Sequence, residues 1–148
     1  MVIEEPTGKF IGPKTWGLRE WWDIPLPDGR TLRCRPGASS NGVSVGFLES
    51  AFTPRYEQPT FKYAFGHDQL YAAQLLTRAE SDYAFYWWMK SDPSVKSWKR
   101  IGYYAVVRAL GWKPWRDNKP HIHTARYYAQ VIPSHTTDEP ITDDPVPA

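Results

Sequence analysis

The sequence predicts an α+β fold, mainly helical. It comprises an antiparallel helix hairpin plus a third helix, a small N-terminal β-hairpin and extended terminal arms. Three observations carry this. Residues 60–76 contain no proline and repeat Ala64, His67, Tyr71, Gln74 and Leu75 at helical spacing. Thr77-Arg78-Ala79-Glu80 has the form of a capping box, with Thr77 as N-cap and Glu80 at the third helical position. Pro27-Asp28-Gly29-Arg30 separates two short apolar runs, and Asp-Gly favours a hairpin turn.

Taken in order, residues 1–13 are polar and punctuated by Pro6, Gly12 and Pro13, which suggests an arm. Residues 14–132 form one globular domain, a size sufficient to bury a core. Residues 16–26 are aromatic-rich, and Pro25 restricts them to an edge strand. Residues 31–35 form the return strand, with Leu32 and Cys34 on one face. Residues 36–46 are small and glycine-rich, an irregular loop that either connects two elements or wraps a ligand. Residues 47–59 continue irregularly past Pro54 and Pro59.

The second helix extends to about Lys90 and aligns Ala79, Asp82, Phe85, Tyr86 and Met89. Asp92-Pro93 breaks the chain, and Ser94 or Ser97 caps a third helix. That helix runs to Leu110 and stops at Gly111 as a C′ residue. Its expected inner face is Trp98, Ile101, Ala105, Val106 and Ala109, with Lys99, Arg100 and Arg108 outside it. Residues 112–120 form a proline-broken connector, and residues 125–132 a short strand or helix. Residues 133–148 form an acidic, proline-rich tail with the composition of a disordered segment.

Charge is uneven. The net is +2, but residues 133–148 hold four acids and no Lys or Arg, which leaves +6 on the remainder. A modestly basic body suits an anionic partner or a solvated surface equally. No zinc-finger, RNP or basic-region pattern is present, so no specific nucleic acid is expected. The single Cys34 precludes an intramolecular disulfide and reads as a small core residue. There is no signal-peptide pattern and no apolar run long enough for a transmembrane segment. His121-x-His123 has no third ligand nearby in sequence and reads as exposed polar residues. Tyr83, Phe85, Tyr86, Trp87 and Trp88 encircle the second helix, so some face outward. Trp87 or Trp88 would then dock on a partner or insert at a bilayer interface.

The candidate site lies on the hairpin. Across a short link, His67 and Asp82 stand at levels differing by only about 4.5 Å at helical rise. Tyr71 lies four residues from His67, on the same face. A carboxylate on this apolar face is costly unless paired, and His67 is the available partner. An Asp–His pair orients the imidazole and leaves its other nitrogen as a general base. With no nucleophilic Ser or Cys evident, the attacking group would be water, and Asp68 could hold a hard cation such as Ca²⁺. A purely structural network tying two helices together satisfies the same spacing.

These residues carry a resemblance. Pro36-Gly37-Ala38-Ser39-Ser40-Asn41-Gly42-Val43-Ser44-Val45 is similar to P-x-G-F-x-T-D-G-A-S-I-P, His67-Asp68-x-x-Tyr71 to H-D-x-L-Y, and Arg78 with Asp82 to R-x-x-A-D. In this order, over residues 30–115, they resemble an uncharacterised family of small phage, prophage and bacterial proteins. That family in turn resembles the prokaryotic secreted phospholipases A2. The resemblance implies a phospholipase A2-like hairpin in which His67 activates water, Asp82 orients it and Tyr71 supports the hydrogen bonds. It implies Ca²⁺ at Asp68 with the loop residues Asn41 and Gly42. Asn41 replaces the family's Asp, which removes one charge and weakens the metal site, and Glu49 is positioned in sequence to compensate.

The implied partner is phospholipid or a membrane surface, and the implied location the virion or host cytoplasm. The alternative is a non-catalytic structural protein of a phage tail or baseplate, whose partners are other virion proteins.

Overall fold

The computed structural model describes residues 3–12, 15–40 and 60–133. The architecture is α+β, with two small antiparallel sheets and a set of helices. Strands β1 (Gly8–Gly12), β2 (Thr15–Leu18) and β5 (Ser39–Ser40) form one sheet in the order β1-β2-β5. Strands β3 (Trp22–Pro25), β4 (Thr31–Cys34) and β6 (Ala129–Ile132) form the other in the order β3-β4-β6.

The Asp-Gly hairpin forms as the sequence predicts, with Ile24 opposite Leu32 and Trp22 opposite Cys34. Gly29 takes φ +90°, which a side chain rarely adopts. Pro25 sits on the edge strand, where a missing N–H costs no ladder bond. The N-terminal segment is not an arm throughout. Residues 8–12 pair with β2, and Ile3 is buried in the core.

Helix α1 (Phe61–Ala73) is buried on nearly every side, with nine of its residues in the interior. It ends at Gln74, whose left-handed φ of 48° is unusual for a side-chain-bearing residue. The freed carbonyls of Ala73 and Gln74 accept hydrogen bonds from Arg126, which closes the helix end. Gln74 is held in place by its own amide, which donates to the carbonyl of Trp115 at 2.6 Å.

Helix α2 (Arg78–Lys90) opens on the expected capping box. The Thr77 hydroxyl accepts from the Glu80 N–H, and the Glu80 carboxylate accepts from the Thr77 N–H. Its buried stripe is Ser81, Asp82, Ala84, Phe85, Trp88 and Met89, so Ala79 lies outside it. Trp88 is not a docking ring. It is fully buried, and its indole N–H donates to the carbonyl of Pro25 at 2.6 Å. Gly66 on α1 permits this packing, because a Cβ there would stand 3.0 Å from the Trp88 ring.

Helix α3 (Ser97–Leu110) is turned differently from expectation. Tyr103 and Val107 are buried, whereas Trp98 and Ile101 are exposed. Its N-cap is Lys96, whose side chain has no acceptor to offer, and Ser94 instead donates to Asp92 through its hydroxyl and N–H. Gly111 is not a left-handed cap. Its φ is −69°, and the chain continues directly into α4 (Trp112–Asn118). Pro114 falls in the first turn of α4, where its lack of an N–H is harmless, so the expected connector is helical. A 3₁₀ turn (Lys119–His121) leads to α5 (Ile122–Tyr128), and β6 then pairs with β4. Residues 125–132 are therefore helix and strand in succession.

The core lies where α1 and α2 meet the β3-β4-β6 sheet, with Ile24, Leu32, Cys34, Phe65, Phe85, Trp88 and Met89 fully buried. Burial pushes the Cys34 thiol far above its ordinary range, as expected of an inert core residue. Because the capping box starts α2, Thr77→Ala is expected to cost about 1 kcal/mol, read as a lower urea midpoint with unchanged slope.

Candidate active site

The α1–α2 hairpin brings His67, Tyr71 and Asp82 together. The Nε2 atom of His67 is 2.8 Å from Oδ1 of Asp82. The Tyr71 hydroxyl donates to the same oxygen at 2.6 Å. His67 and Tyr71 are 1% exposed and Asp82 is 0% exposed, so this is a desolvated network. The His67 ring stacks obliquely on Tyr71 and Phe85, with centroids at 4.3 and 4.9 Å.

The second carboxylate oxygen is also taken. Arg108 Nη1 donates to Oδ2 at 2.8 Å, and Arg78 Nη1 lies 3.6 Å from the same atom. Arg78 further donates to the carbonyls of Val107 and Arg108. One buried carboxylate thus joins α1, α2 and α3. The sequence singled out Arg78 only as a motif letter, and it placed Arg108 outside the inner face of the third helix. Arg78 was findable, since it stands four residues before Asp82 on one helix. Arg108 was not, because its role depends on how α3 is rotated.

The geometry sets the state of the imidazole. With Nε2 facing a carboxylate, the ring proton belongs on Nε2, which leaves the lone pair on Nδ1. His67 Nδ1 is buried and has no hydrogen-bond partner among the described residues. Such an orphan costs about 1–3 kcal/mol and calls for an explanation, catalysis being one. Burial, then the hydrogen bond to Asp82, pushes the Tyr71 phenol up, so it remains a donor to the carboxylate.

Gly111 abuts this network. A Cβ at that position would lie 2.3 Å from the Tyr71 hydroxyl and 3.2 Å from Arg78 Nη1. The same Cβ would also collide with the Val107 carbonyl, so both the site and the helix end require the glycine.

Asp68, next to His67 in sequence, meets β5. Its Oδ2 accepts from the Ser40 hydroxyl at 2.5 Å, at the end of β5. The neighbouring Gln69 amide donates to the Ser39 carbonyl, so α1 is stitched to β5 at two successive residues. Asn41, Gly42 and Glu49 lie outside the described residues. Among the described residues no three His, Cys, Asp or Glu side chains cluster. The set that the resemblance implies is Asp68 with the loop residues Asn41 and Gly42. It is all-oxygen, the donor type a hard cation takes. His121 and His123 are exposed and on separate turns of a helical segment.

No protein-family model, no curated protein and no solved structure matches the chain.

Two outcomes follow from the buried network. Asp82→Ala strands two guanidinium groups and the His67 ring, and should destabilise the fold by about 3–5 kcal/mol in urea unfolding. The Tyr71 phenol is raised above its ordinary value of 10.0, as is that of Tyr63 by burial and then by Asp92. A raised phenol contributes stability that is fully present below the unfolded value and is lost as pH rises from there through the raised folded value. The urea midpoint should therefore hold up to about pH 10 and fall above it. Tyr71→Phe, though less stable at neutral pH, should show a shallower alkaline decline.

Proposed function

We propose that the chain is a phage-type, phospholipase A2-like hydrolase that cleaves a phospholipid ester with the assistance of Ca²⁺. The observation that supports it is His67, with Nε2 anchored to a buried carboxylate and Nδ1 buried without a partner among the described residues. The motif order from the residue 36–45 loop through His67-Asp68-x-x-Tyr71 to Arg78 and Asp82 supports the same reading.

In this mechanism Nδ1 takes a proton from water as the water oxygen attacks the ester carbonyl carbon. Asp82 stabilises the imidazolium that results, and Tyr71 and Arg108 keep the carboxylate in place. The tetrahedral intermediate then expels the glycerol oxygen, which takes the proton back from His67. The products are a fatty acid and a lysophospholipid, and the base is restored. Asp68, with Asn41 and Gly42, would hold Ca²⁺, which supplies polarisation of the carbonyl when bound. The buried site excludes bulk water, so each of these electrostatic contacts acts in a low dielectric.

A second reading is favoured by the two arginines on Asp82. A carboxylate neutralised by Arg78 and Arg108 is a clasp joining three helices, and a non-catalytic tail or baseplate protein would keep it for rigidity. In that role the exposed aromatics serve contacts with other virion proteins.

Fatty-acid release from phospholipid separates the two. With Ca²⁺ in the millimolar range the wild-type chain should release fatty acid, and a chelator should stop it. His67→Ala should lower the rate by about 10²–10⁴-fold, as expected for loss of a general base. No release by the folded wild type across that range of Ca²⁺ overturns the catalytic reading and leaves the structural one.

A further inference from the structure

Helix α3 is turned inside out. Trp98, Ile101, Ala105 and Ala109 recur at the spacing of one helical stripe, and all four are exposed. Trp98 is 58% and Ile101 57% exposed, while Tyr103 and Val107 on the opposite side are buried. Leu110 and Trp112 continue the exposed apolar surface where α3 passes into α4. Single exposed apolar residues need no explanation, but a stripe bearing two tryptophans does.

The charge around it is mostly positive, although Arg116 lies 3.5 Å from the Asp117 carboxylate. Residues 96–119 contain seven Lys or Arg and a single acid, Asp117, in a chain whose net charge is only +2. Lys96, Lys113, Arg116 and Lys119 are exposed. Two cations lie beside the exposed rings, with Lys99 Nζ 5.6 Å from the Trp98 ring centre and the Arg116 guanidinium 5.2 Å from that of Trp112. An apolar stripe with tryptophans and a basic border complements an anionic lipid surface. The rings suit the level of the headgroups, and the long basic side chains reach outward to phosphate.

We propose that the outward face of α3 and its continuation into α4 docks on an anionic phospholipid bilayer. Trp98 and Ile101 enter the boundary between headgroups and acyl chains. Lys113 and Arg116 meet the headgroup charge. The inference deepens the proposed function and rests on its premise that phospholipid is the target. It uses none of His67, Tyr71 or Asp82.

The test is co-sedimentation of the full chain with vesicles, in chelator so that no lipid is consumed. Vesicles of phosphatidylcholine with about 30% phosphatidylserine are compared with phosphatidylcholine alone. The wild type should bind the anionic vesicles at least tenfold more tightly, and less so as salt rises from about 0.05 to about 0.5 M. Trp98→Ser with Ile101→Ser, at exposed positions, should leave the thermal midpoint unchanged and abolish binding. Lys113→Glu with Arg116→Glu should weaken binding by more than tenfold.

Equal binding to both vesicle types overturns the proposal, as does unaltered binding by the Trp98/Ile101 pair. So does a wild-type dimer that binds no vesicles and becomes monomeric in that pair, which would make the face a self-association surface. Hydrolysis of a short-chain, monomeric phospholipid keeps the two ideas apart. If that hydrolysis persists while vesicle binding is absent, only the docking surface fails. If vesicle binding persists without any hydrolysis, only the catalytic reading fails.

Discussion

The constraint on which the rest of the structure depends is the burial of the Asp82 carboxylate. A charge with no solvent exposure is tolerable only if both oxygens are met by donors. His67 and Tyr71 from α1 meet one oxygen, and Arg108 from α3 with Arg78 from α2 meets the other. That single requirement sets the register of the helix hairpin and the rotation of the third helix. It also explains Gly111, which leaves room for the Tyr71 hydroxyl where a methyl group would collide with it.

The rotation of α3 shows the balance of forces. Facing either way, the helix buries two large apolar side chains, Tyr103 and Val107 as found or Trp98 and Ile101 in the alternative. The burial terms differ by only about 1–2 kcal/mol on a per-residue scale of 1.5–3 kcal/mol. Withdrawing Arg108, itself partly exposed, leaves the fully buried Asp82 carboxylate one charged donor short, at a cost of about 1–3 kcal/mol. The Arg108–Asp82 contact is thus large enough to offset the difference, and the more hydrophobic stripe is left facing solvent. A rule that turns the most apolar face inward fails here because a charge lies beneath the helix.

Much of the fold was legible because its signals are local. The Asp28-Gly29 turn, the Thr77–Glu80 capping box and the helical spacing of His67 and Tyr71 all act within four residues. The His67–Asp82 contact was also legible, since a short link between helices leaves little freedom in their register. Elements fixed by distant partners were not. Strand β6 is ordered by pairing with β4, Leu32 opposite Val131, nearly a hundred residues earlier. β1 looks like an arm until β2 supplies its ladder, and α4 looks like a connector because Pro114 reads as a breaker unless its place in the first turn is known. Arg108 was missed as part of the site for the same reason, since nothing local aims α3 at Asp82, whereas Arg78 stands four residues before Asp82 on the same helix.

By itself, then, the sequence determined the helix hairpin, the β3–β4 turn and the pairing of a histidine with a carboxylate, because each follows from spacing along one or two adjacent elements. Only the tertiary structure decided that this carboxylate is shared by three helices, that α1 is stitched to β5 through Asp68 and Gln69, and that the Trp98 stripe faces outward. Those features follow from satisfying a buried charge and buried polar groups across elements far apart in the chain. Periodicity within a single helix carries no information about that condition.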